Sequence, residues 1–360
     1  MTLSQVFNLV VTKKHPATMV HFLTDRCNAR CPFCFIDFNS PHHGKNELTL
    51  NEIEQITQFL PRSLTNINFT GGEPFLRNDI TEIAKMYFTH TAVQSIFITS
   101  NGYFTERTKN FCQNVLKEFP EKEIFIALSI DDLPEKHDSI RKVKGLFSKC
   151  METFAMLKQL PVNVRPSVSI TISQENFGHV DLIYDMLINK YAVDAVQLIM
   201  VRSEGVFKFN ETYRQPLLKA YSNLSIRLEE DYLRNRLKGF NRQSLRGKIL
   251  NSKNDVSRKV LNRYLQSPHY MHPCQAAALF GVITSTGDVY PCEILNKPLG
   301  NLRQYNYDLK KLWKDKAAEE TRKFISKTNC NCEYECAMSA NILSNPKYLP
   351  SIAAGLIQQK

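Results

Sequence analysis

The chain has 360 residues, of which 43% are hydrophobic and 22% are charged. That composition excludes an intrinsically disordered protein, a collagen and a small disulfide-stapled scaffold, and the length predicts one large α/β domain with an appendage, or two domains. Lysine and arginine outnumber aspartate and glutamate by 46 to 35, which gives a net charge of +11. This excess favours anionic partners such as phosphorylated metabolites, nucleic acid or a membrane surface.

The sequence shows no targeting signal and no membrane span. Residues 1–16 lack the basic start, sustained apolar run and cleavage site of a secretory peptide. No uncharged apolar stretch approaches the ~18 residues that would cross a bilayer. We therefore expect a cytoplasmic protein with no membrane partner. Its ten cysteines then need an explanation other than disulfides, which are rare in a reducing compartment.

Six short apolar runs alternate with amphipathic stretches in the first 201 residues. The runs predict buried parallel strands, and the stretches predict the helices that connect them. The predicted strands lie near residues 19–23, 67–69, 95–99, 123–130, 164–172 and 195–201. This pattern indicates either an open doubly wound sheet or an incomplete barrel, and periodicity alone does not separate the two.

The sequence changes character after the sixth predicted strand. Residues 206–266 are polar, rich in lysine and arginine, and predict helices without strands. The segment LFGVITSTGDVYPC that follows predicts a hairpin that turns at Thr286, Gly287 and Asp288. Cysteines lie on both sides of this hairpin.

Cys27, Cys31 and Cys34 form a C-x3-C-x2-C cluster directly after the first predicted strand. A structural zinc site normally has four protein ligands, whereas three thiolates on a four-iron cluster leave one iron open to an external ligand. Three ligands therefore favour an iron-sulfur cluster. A zinc site with one remote ligand, or three buried thiols, are the alternatives at this point.

The cluster, with Phe33 before its last cysteine, resembles the signature of the radical S-adenosylmethionine (radical SAM) superfamily. The segment Gly71-Gly72-Glu73-Pro74, at the end of the second predicted strand, resembles the GGEP segment of that family. The resemblance implies that its backbone and glutamate bind the methionine amino group of the cofactor. A pair of glycines suits a close approach to a ligand, because glycine has no Cβ.

The resemblance implies further cofactor contacts at the ends of the third and fourth strands. These are Ser100, Asn101, Ser129 and Asp131, whose side chains can bind the carboxylate and ribose of the cofactor. Arg141 is either a contact to a carboxylate or part of a solvated helix face. Because parallel α/β folds bind ligands at the carboxyl ends of their strands, the resemblance favours an α/β fold with a partial six-stranded, TIM-like barrel.

A second cysteine cluster occupies the C-terminal part of the chain. Cys274 is followed by twelve residues, a glycine, four residues and Cys292, and Cys330, Cys332 and Cys336 come later. This pattern resembles the SPASM/twitch extension of radical SAM enzymes, which carries auxiliary four-iron clusters. The resemblance implies Cys274, Cys292, Cys332 and Cys336 as ligands of one such cluster. Cys330 is then a spare, which ligates instead or delivers a hydrogen atom, and a structural zinc site is the alternative.

The resemblance also implies an organisation and an activity. We expect a radical SAM barrel over residues 1–205, a helical connecting segment over 206–270, an auxiliary iron-sulfur domain over 271–340 and a tail over 341–360. The cofactors implied are S-adenosylmethionine and two 4Fe-4S clusters, with an external flavodoxin- or ferredoxin-type reductant. The activity implied is reductive cleavage of S-adenosylmethionine to a 5′-deoxyadenosyl radical, which abstracts hydrogen from an unactivated C–H bond.

The substrate is less constrained. The first strand begins near residue 19, so we expect no leader-binding domain before it, and the positive charge favours a small phosphorylated, nucleotide-linked or sugar-linked metabolite. Modification of a ribosomally made peptide is the alternative. A basic zinc protein that associates with nucleic acid is an alternative of a different class, but the sequence has no basic stripe interleaved with aromatic residues, so nucleic acid is not expected.

Overall fold

The computed structural model describes residues 2–202, 210–239 and 245–358, and the side chains of all of these except Arg246, Glu335, Cys336 and Gln358. The strands are β1 (Thr18–Thr24), β2 (Asn66–Gly71), β3 (Ser95–Ser100), β4 (Glu123–Ser129), β5 (Val164–Ile172), β6 (Val196–Met200), β7 (Phe280–Ile283), β8 (Asp288–Tyr290) and β9 (Gly300–Asn301).

The first helix is short: α1 (Leu3–Phe7) continues as a π-helical turn over Asn8–Thr12. The other helices are α2 (Leu50–Phe59), α3 (Ile80–His90), α4 (Thr105–Glu118), α5 (Pro134–Arg141), α6 (Leu146–Leu157), α7 (Val180–Asn189), α8 (Arg214–Leu233), α9 (Leu245–Gln266), α10 (Leu309–Lys314), α11 (Lys316–Lys327), α12 (Glu335–Leu343) and α13 (Leu349–Gln358).

The first six strands are all parallel and pair in chain order. Across the described sheet the order is β6-β5-β4-β3-β2-β1-β7-β8-β9. A doubly wound sheet reverses its strand order at a switch point, whereas a barrel adds each strand beside the previous one. The order therefore confirms the predicted partial barrel, and all six strands lie within a few residues of their predicted positions.

Each barrel strand alternates between a face that packs on the helices and a face toward the barrel interior. In β4, Ile124, Ile126 and Leu128 are fully buried, as the period of two requires for side chains that pack against the surrounding helices. The alternate residues face the barrel interior, where Glu123 forms an ion pair with Arg165 of β5. The predicted burial on both faces is confirmed for β1 and β4, since Phe125 and Ala127 on the interior face of β4 are buried too.

The predicted hairpin is present, and it extends the barrel sheet. β7 pairs in parallel with β1, with Thr18 opposite Phe280, and β8 returns antiparallel to β7. The turn closes with hydrogen bonds from the Gly287 amide to the Thr284 carbonyl (3.1 Å) and from the Thr284 amide to the Asp288 carbonyl (2.8 Å). The C-terminal cysteine region is therefore joined to the barrel through a shared sheet.

The helical segment after the barrel packs on the end of the chain. α9 contacts both α12 and α13. The Ser252 hydroxyl of α9 donates to the Ile352 carbonyl (2.7 Å), and the Lys253 ammonium donates to the Ser339 hydroxyl (2.8 Å). The basic helices thus support the C-terminal region. Among the described helices, none combines the length and the apolar character needed to span a bilayer.

Candidate functional site

Cys27, Cys31 and Cys34 lie in the irregular loop that leaves the carboxyl end of β1. All three thiols are partly buried, and each lies within electrostatic range of at least one of the others. Burial raises the pKa of the Cys27 thiol to about 11, and burial likewise raises the pKa of Cys31 and Cys34. Metal binding at these positions must therefore release protons, as thiolate ligation requires.

Backbone amides point at two of these sulfur atoms. The Ala29 amide donates to Cys27 Sγ at 3.3 Å, and the Ile36 amide donates to Cys34 Sγ. Amide hydrogen bonds to sulfur stabilise thiolates and tune the potential of iron-sulfur clusters. The donor set at this loop, three thiols supported by amides, therefore fits such a cluster.

The two glycines at the end of β2 let the chain approach the cysteine loop. The Gly72 amide donates to the Thr24 carbonyl and the Glu73 amide donates to the Arg26 carbonyl, both at 2.8 Å. A Cβ at Gly71 would lie 2.1 Å from the Thr24 oxygen, and one at Gly72 would lie 2.1 Å from the Arg26 oxygen. Both positions therefore need glycine, because the backbone they approach is that of the loop carrying the cysteines.

Glu73 is fully buried and ties the end of β2 to the end of β3. Its Oε1 accepts hydrogen bonds from the Phe75 amide (3.1 Å) and the Ser100 hydroxyl (2.9 Å), and its Oε2 accepts one from the Asn101 amide (2.7 Å). Burial raises the pKa of the Glu73 carboxyl. The Asn101 side-chain amide in turn donates to Asn28 Oδ1 at 2.8 Å, beside the first cysteine.

Asp131 and Arg141 form a buried ion pair next to the thiols. The guanidinium donates to Asp131 Oδ2 from Nε (2.8 Å) and from Nη2 (2.6 Å), and the Thr171 amide donates to Oδ1 at 3.1 Å. The Arg141 charge lies within electrostatic range of Cys31 and Cys34, where it favours the thiolate. Arg141 is 7% exposed, which excludes the solvated helix face that the sequence left open.

The remaining residues of the predicted cofactor set lie around this group. Ser129 is partly buried at the end of β4, opposite Ser169 of β5. Phe33 packs on the hydrophobic core, and Pro74 is buried at the start of a 3-10 turn. The structure therefore places the set at the carboxyl ends of β1 to β4, as the sequence predicts.

A second group of thiols lies in the C-terminal region. Cys330 Sγ hydrogen-bonds with Cys274 Sγ, and this contact, together with burial, raises the pKa of Cys274. Cys292 and Cys332 are within electrostatic range of each other and of Cys330. Cys330 is a spare in the ligand set expected from the sequence, but its thiol belongs to the group in the structure.

Backbone amides also serve this second group. The Leu295 amide donates to Cys292 Sγ at 3.2 Å, and the Tyr334 amide donates to Cys332 Sγ. Burial raises the pKa of Cys332 to about 12. The side chain of Cys336, the fourth ligand that the sequence predicts, lies outside the described side chains.

The described thiols of the two groups do not converge on a single ion. Within residues 2–202, 210–239 and 245–358, no three side chains of histidine, cysteine, aspartate or glutamate converge as a single metal ion would need. Among the described side chains, amide-supported thiols are the ligand type that both groups share, and thiolates are the ligands of iron-sulfur clusters.

Arg202 connects the barrel to the second thiol group, a contact that sequence reasoning did not find. It follows β6 and forms an ion pair with Glu293, the neighbour of Cys292. Its guanidinium also lies 4.6 Å from the ring centroid of Tyr334, close to Cys332. No local signal marks this pair, because its partners are far apart in the sequence.

The barrel interior carries neutral hydrogen-bonding groups. The Asn66 side-chain amide donates to Thr18 Oγ1 (3.0 Å) and to Asn68 Oδ1 (2.8 Å), and the Gln197 amide donates to Ser167 Oγ (3.1 Å). Arg165 and Glu123 also face the interior, and their charges neutralise each other in an ion pair with a distance of 3.2 Å between Nε and Oε1. Amides and hydroxyls suit a polar, uncharged ligand.

Two protein-family models match this chain. Residues 22–187 match the model of the radical SAM superfamily, and residues 274–337 match that of SPASM, an iron-sulfur cluster-binding domain. The chain belongs to the radical SAM superfamily. This radical SAM enzyme uses S-adenosylmethionine, a 4Fe-4S cluster in the barrel and an auxiliary cluster in the SPASM region. The zinc alternatives and the nucleic-acid-associated protein are thereby set aside.

Solved structures share the fold. The structure of histidine-tagged anSMEcpe with bound AdoMet is 20% identical with a TM-score of 0.62, covering 96% of each chain. Streptococcus suis SuiB bound to S-adenosylmethionine is 17% identical with a TM-score of 0.57, covering 86% of this chain and 68% of SuiB. Native anSMEcpe with AdoMet and the Kp18Cys peptide is 17% identical with a TM-score of 0.61, covering 95% of this chain and 96% of that one.

Proposed function

We propose that this radical SAM enzyme abstracts a hydrogen atom from an unactivated C–H bond of a small sugar-linked or nucleotide-linked metabolite, whose hydroxylated part binds in the barrel interior. The observation that carries the proposal is the position of three thiols, two of them supported by backbone amides, at the mouth of a barrel whose interior carries neutral amides and hydroxyls.

Cys27, Cys31 and Cys34 would hold the barrel cluster, and the open corner left by three ligands would receive the cofactor. When bound, the cluster supplies the electron that cleaves S-adenosylmethionine, and the 5′-deoxyadenosyl radical so released takes the hydrogen atom. Arg141 keeps a positive charge beside Cys31 and Cys34.

The cofactor-binding set divides into two roles in this proposal. Glu73 and Ser100 already bond each other, so they would position the strand ends against which the cofactor lies. Ser129 is partly exposed at the end of β4, where it can donate to the cofactor itself. Asn101 would hold the cysteine loop through Asn28.

The side chains of the barrel interior favour a hydroxylated substrate group over a charged one. Asn66, Asn68, Ser167 and Gln197 supply donors and acceptors without net charge. The Arg165 guanidinium is already paired with Glu123. A phosphate or pyrophosphate on the substrate would therefore lie outside the interior, where the basic excess of the chain is available.

A peptide is the second candidate, and the solved structures favour it. Streptococcus suis SuiB has been solved bound to the precursor peptide SuiA, and anSMEcpe has been solved with the Kp18Cys and Cp18Cys peptides. Amide side chains in a barrel interior can also bond a peptide backbone. With either substrate, the proposed partner of the enzyme is a flavodoxin- or ferredoxin-type reductant. The proposed location is the cytoplasm, which keeps the thiols reduced.

Deuterium transfer distinguishes the two substrate classes. Anaerobic, reduced enzyme is supplied with S-adenosylmethionine and either perdeuterated nucleotide sugars or deuterated peptides, and the 5′-deoxyadenosine is analysed by mass spectrometry. We expect deuterium from a nucleotide sugar and none from peptides. Asn68→Ala should raise the KM for that substrate about tenfold, the cost of one lost hydrogen bond, while the exposed Gln94→Ala, outside the barrel, should not. Deuterium that arises from peptides alone would refute the metabolite proposal.

A further inference from the structure

The N-terminal helical segment, residues 3–12, turns its apolar face away from the protein. Its apolar residues recur at the helical spacing of one stripe, and they form a shared surface that comprises Leu3, Val6, Phe7, Val10 and Val11. Leu3 is 90% exposed, Phe7 is 56% exposed and Val11 is 60% exposed. A surface helix of a globular protein normally buries such a stripe.

Polar side chains hold the segment in this inverted orientation. Buried Asn8 donates from Nδ2 to the His15 carbonyl (2.8 Å) and accepts at Oδ1 from the amides of Lys14 (3.3 Å) and His15 (3.2 Å). Gln5 donates from Nε2 to the Arg62 carbonyl at 2.8 Å. Hydrogen bonds on the inner face therefore fix the apolar stripe on the outside.

Basic residues lie near the C-terminal end of the segment. Lys13 and Lys14 follow the segment directly, and Lys14, Lys310 and Lys314 all lie close enough to His15 to act on it electrostatically. Within the described part of the chain none of these four lysines forms an ion pair. Lys14, Lys310 and Lys314 are exposed. The surface thus combines apolar side chains with unneutralised positive charge.

This surface lies on the opposite side of the barrel from the thiols. It precedes the first residue of β1, Thr18, whereas the cysteine loop follows the last residue, Thr24. A partner on the N-terminal side would therefore leave the mouth of the barrel open.

We propose that the apolar stripe and its four lysines dock the enzyme on the surface of an anionic lipid bilayer. Apolar side chains of an interfacial helix enter the boundary between headgroups and acyl chains, and nearby lysines attract anionic headgroups. A second copy of the chain fits less well, since a twofold contact would bring the two lysine clusters together. The lack of a spanning segment in the sequence predicts no membrane partner, but a peripheral helix needs no span.

Vesicle cosedimentation of the anaerobic holoenzyme tests the proposal. We expect binding to phosphatidylcholine vesicles with roughly 30% phosphatidylglycerol, weakening with salt, and little binding to pure phosphatidylcholine. The double variant Leu3→Asp/Phe7→Asp should reduce partitioning at least ~10-fold, and Lys310→Glu/Lys314→Glu should remove the preference for anionic lipid. Leu182→Asp, an equally drastic change at a 59% exposed position of α7, should bind as the wild type does.

All variants should release 5′-deoxyadenosine at the wild-type rate. This result would show that they are folded and contain the iron-sulfur cluster that the reaction needs. Failure of the wild type to bind anionic vesicles, or equal binding by Leu3→Asp/Phe7→Asp, would overturn the proposal. So would a dimer in analytical ultracentrifugation that this double variant abolishes, because the stripe would then be covered by a second copy.

Discussion

Glu73 shows how one buried carboxylate organises the mouth of the barrel. It receives three hydrogen bonds, two from backbone amides and one from the Ser100 hydroxyl, and these bonds join the ends of β2 and β3. The neighbouring Gly72 docks on the loop that carries Cys27. The geometry of the thiols therefore depends on a residue that does not touch them.

Replacing Glu73 by glutamine tests this role. The glutamine amide group would face backbone or hydroxyl donors where the carboxylate accepts, so we expect a loss of about 2 to 3 kcal/mol in the free energy of unfolding, the cost of an unsatisfied buried donor. Urea denaturation of the anaerobic protein measures it. The exposed Glu82→Gln on α3 is the control. Equal stabilities for the two variants would contradict the assigned role.

Cys330 is the residue whose role the structure changes most. Its thiol contacts Cys274 and lies near Cys292 and Cys332. If these four thiols hold the auxiliary cluster, Cys330→Ala should lower the iron content from about eight to about four per chain, the iron of one four-iron centre. Iron and sulfide analysis after anaerobic purification checks this. An unchanged content in Cys330→Ala, with a loss in Cys336→Ala, would support the ligand set expected from sequence.

The residues that chemistry requires at fixed spacing could be predicted from the sequence. Cys27, Cys31 and Cys34 stand together in the chain, and their type limits what they can bind. The Asp131–Arg141 pair and the Arg202–Glu293 pair could not be predicted, because each is formed by tertiary contacts that no local pattern encodes.

At the scale of elements, α2 joins the barrel to the C-terminal region. Glu52 first closes a capping box with Thr49 at the start of α2 and then accepts two hydrogen bonds from Arg303, Nε at 2.6 Å and Nη2 at 3.1 Å. Arg303 also lowers the pKa of Glu52 to about 2 and donates to the Thr286 carbonyl. One arginine thus fixes the β7–β8 hairpin against the barrel.

Arg303→Ala should weaken this junction. We expect the loss of about 1 to 2 kcal/mol in unfolding free energy, a modest figure because the pair is partly exposed to solvent. We also expect faster hydrogen exchange at the amides of β7 and β8. Lys316→Ala, at an exposed site on α11, is the control. If the hairpin amides of Arg303→Ala exchange at the wild-type rate, the assigned role of Arg303 is wrong. The pairing of β7 with β1 would then be enough to hold the hairpin in place.

The strands were the most predictable elements, and the N-terminal helix was among the least. Each barrel strand places a run of apolar residues against the helices, which gives a strong local signal. The polar inner face of β5 could not be predicted from the sequence, because Ser167 and Ser169 alternate with Val168 and Ile170 in one run. The segment at residues 3–12 is too short for periodicity to predict, and its inverted orientation depends on the tertiary hydrogen bond from Gln5 to the Arg62 carbonyl.

At the scale of the whole molecule, one sheet of nine strands in the described chain unites the two thiol groups. The barrel cysteines follow β1, and the hairpin pairing with β1 leads to Cys292. Arg202 and Arg303 make two further links between the same parts. Strand pairing and two ion pairs therefore join the C-terminal region to the barrel.

The three thiols of the β1 loop are proposed to hold the cluster that cleaves S-adenosylmethionine. Release of 5′-deoxyadenosine by the reduced, anaerobic enzyme tests this role most directly. We expect release by the wild type and by Cys112→Ala, whose buried thiol belongs to neither group. Separate alanine substitutions at Cys27, Cys31 and Cys34 should each abolish it. Cleavage at the wild-type rate by any of these three variants would contradict the assignment.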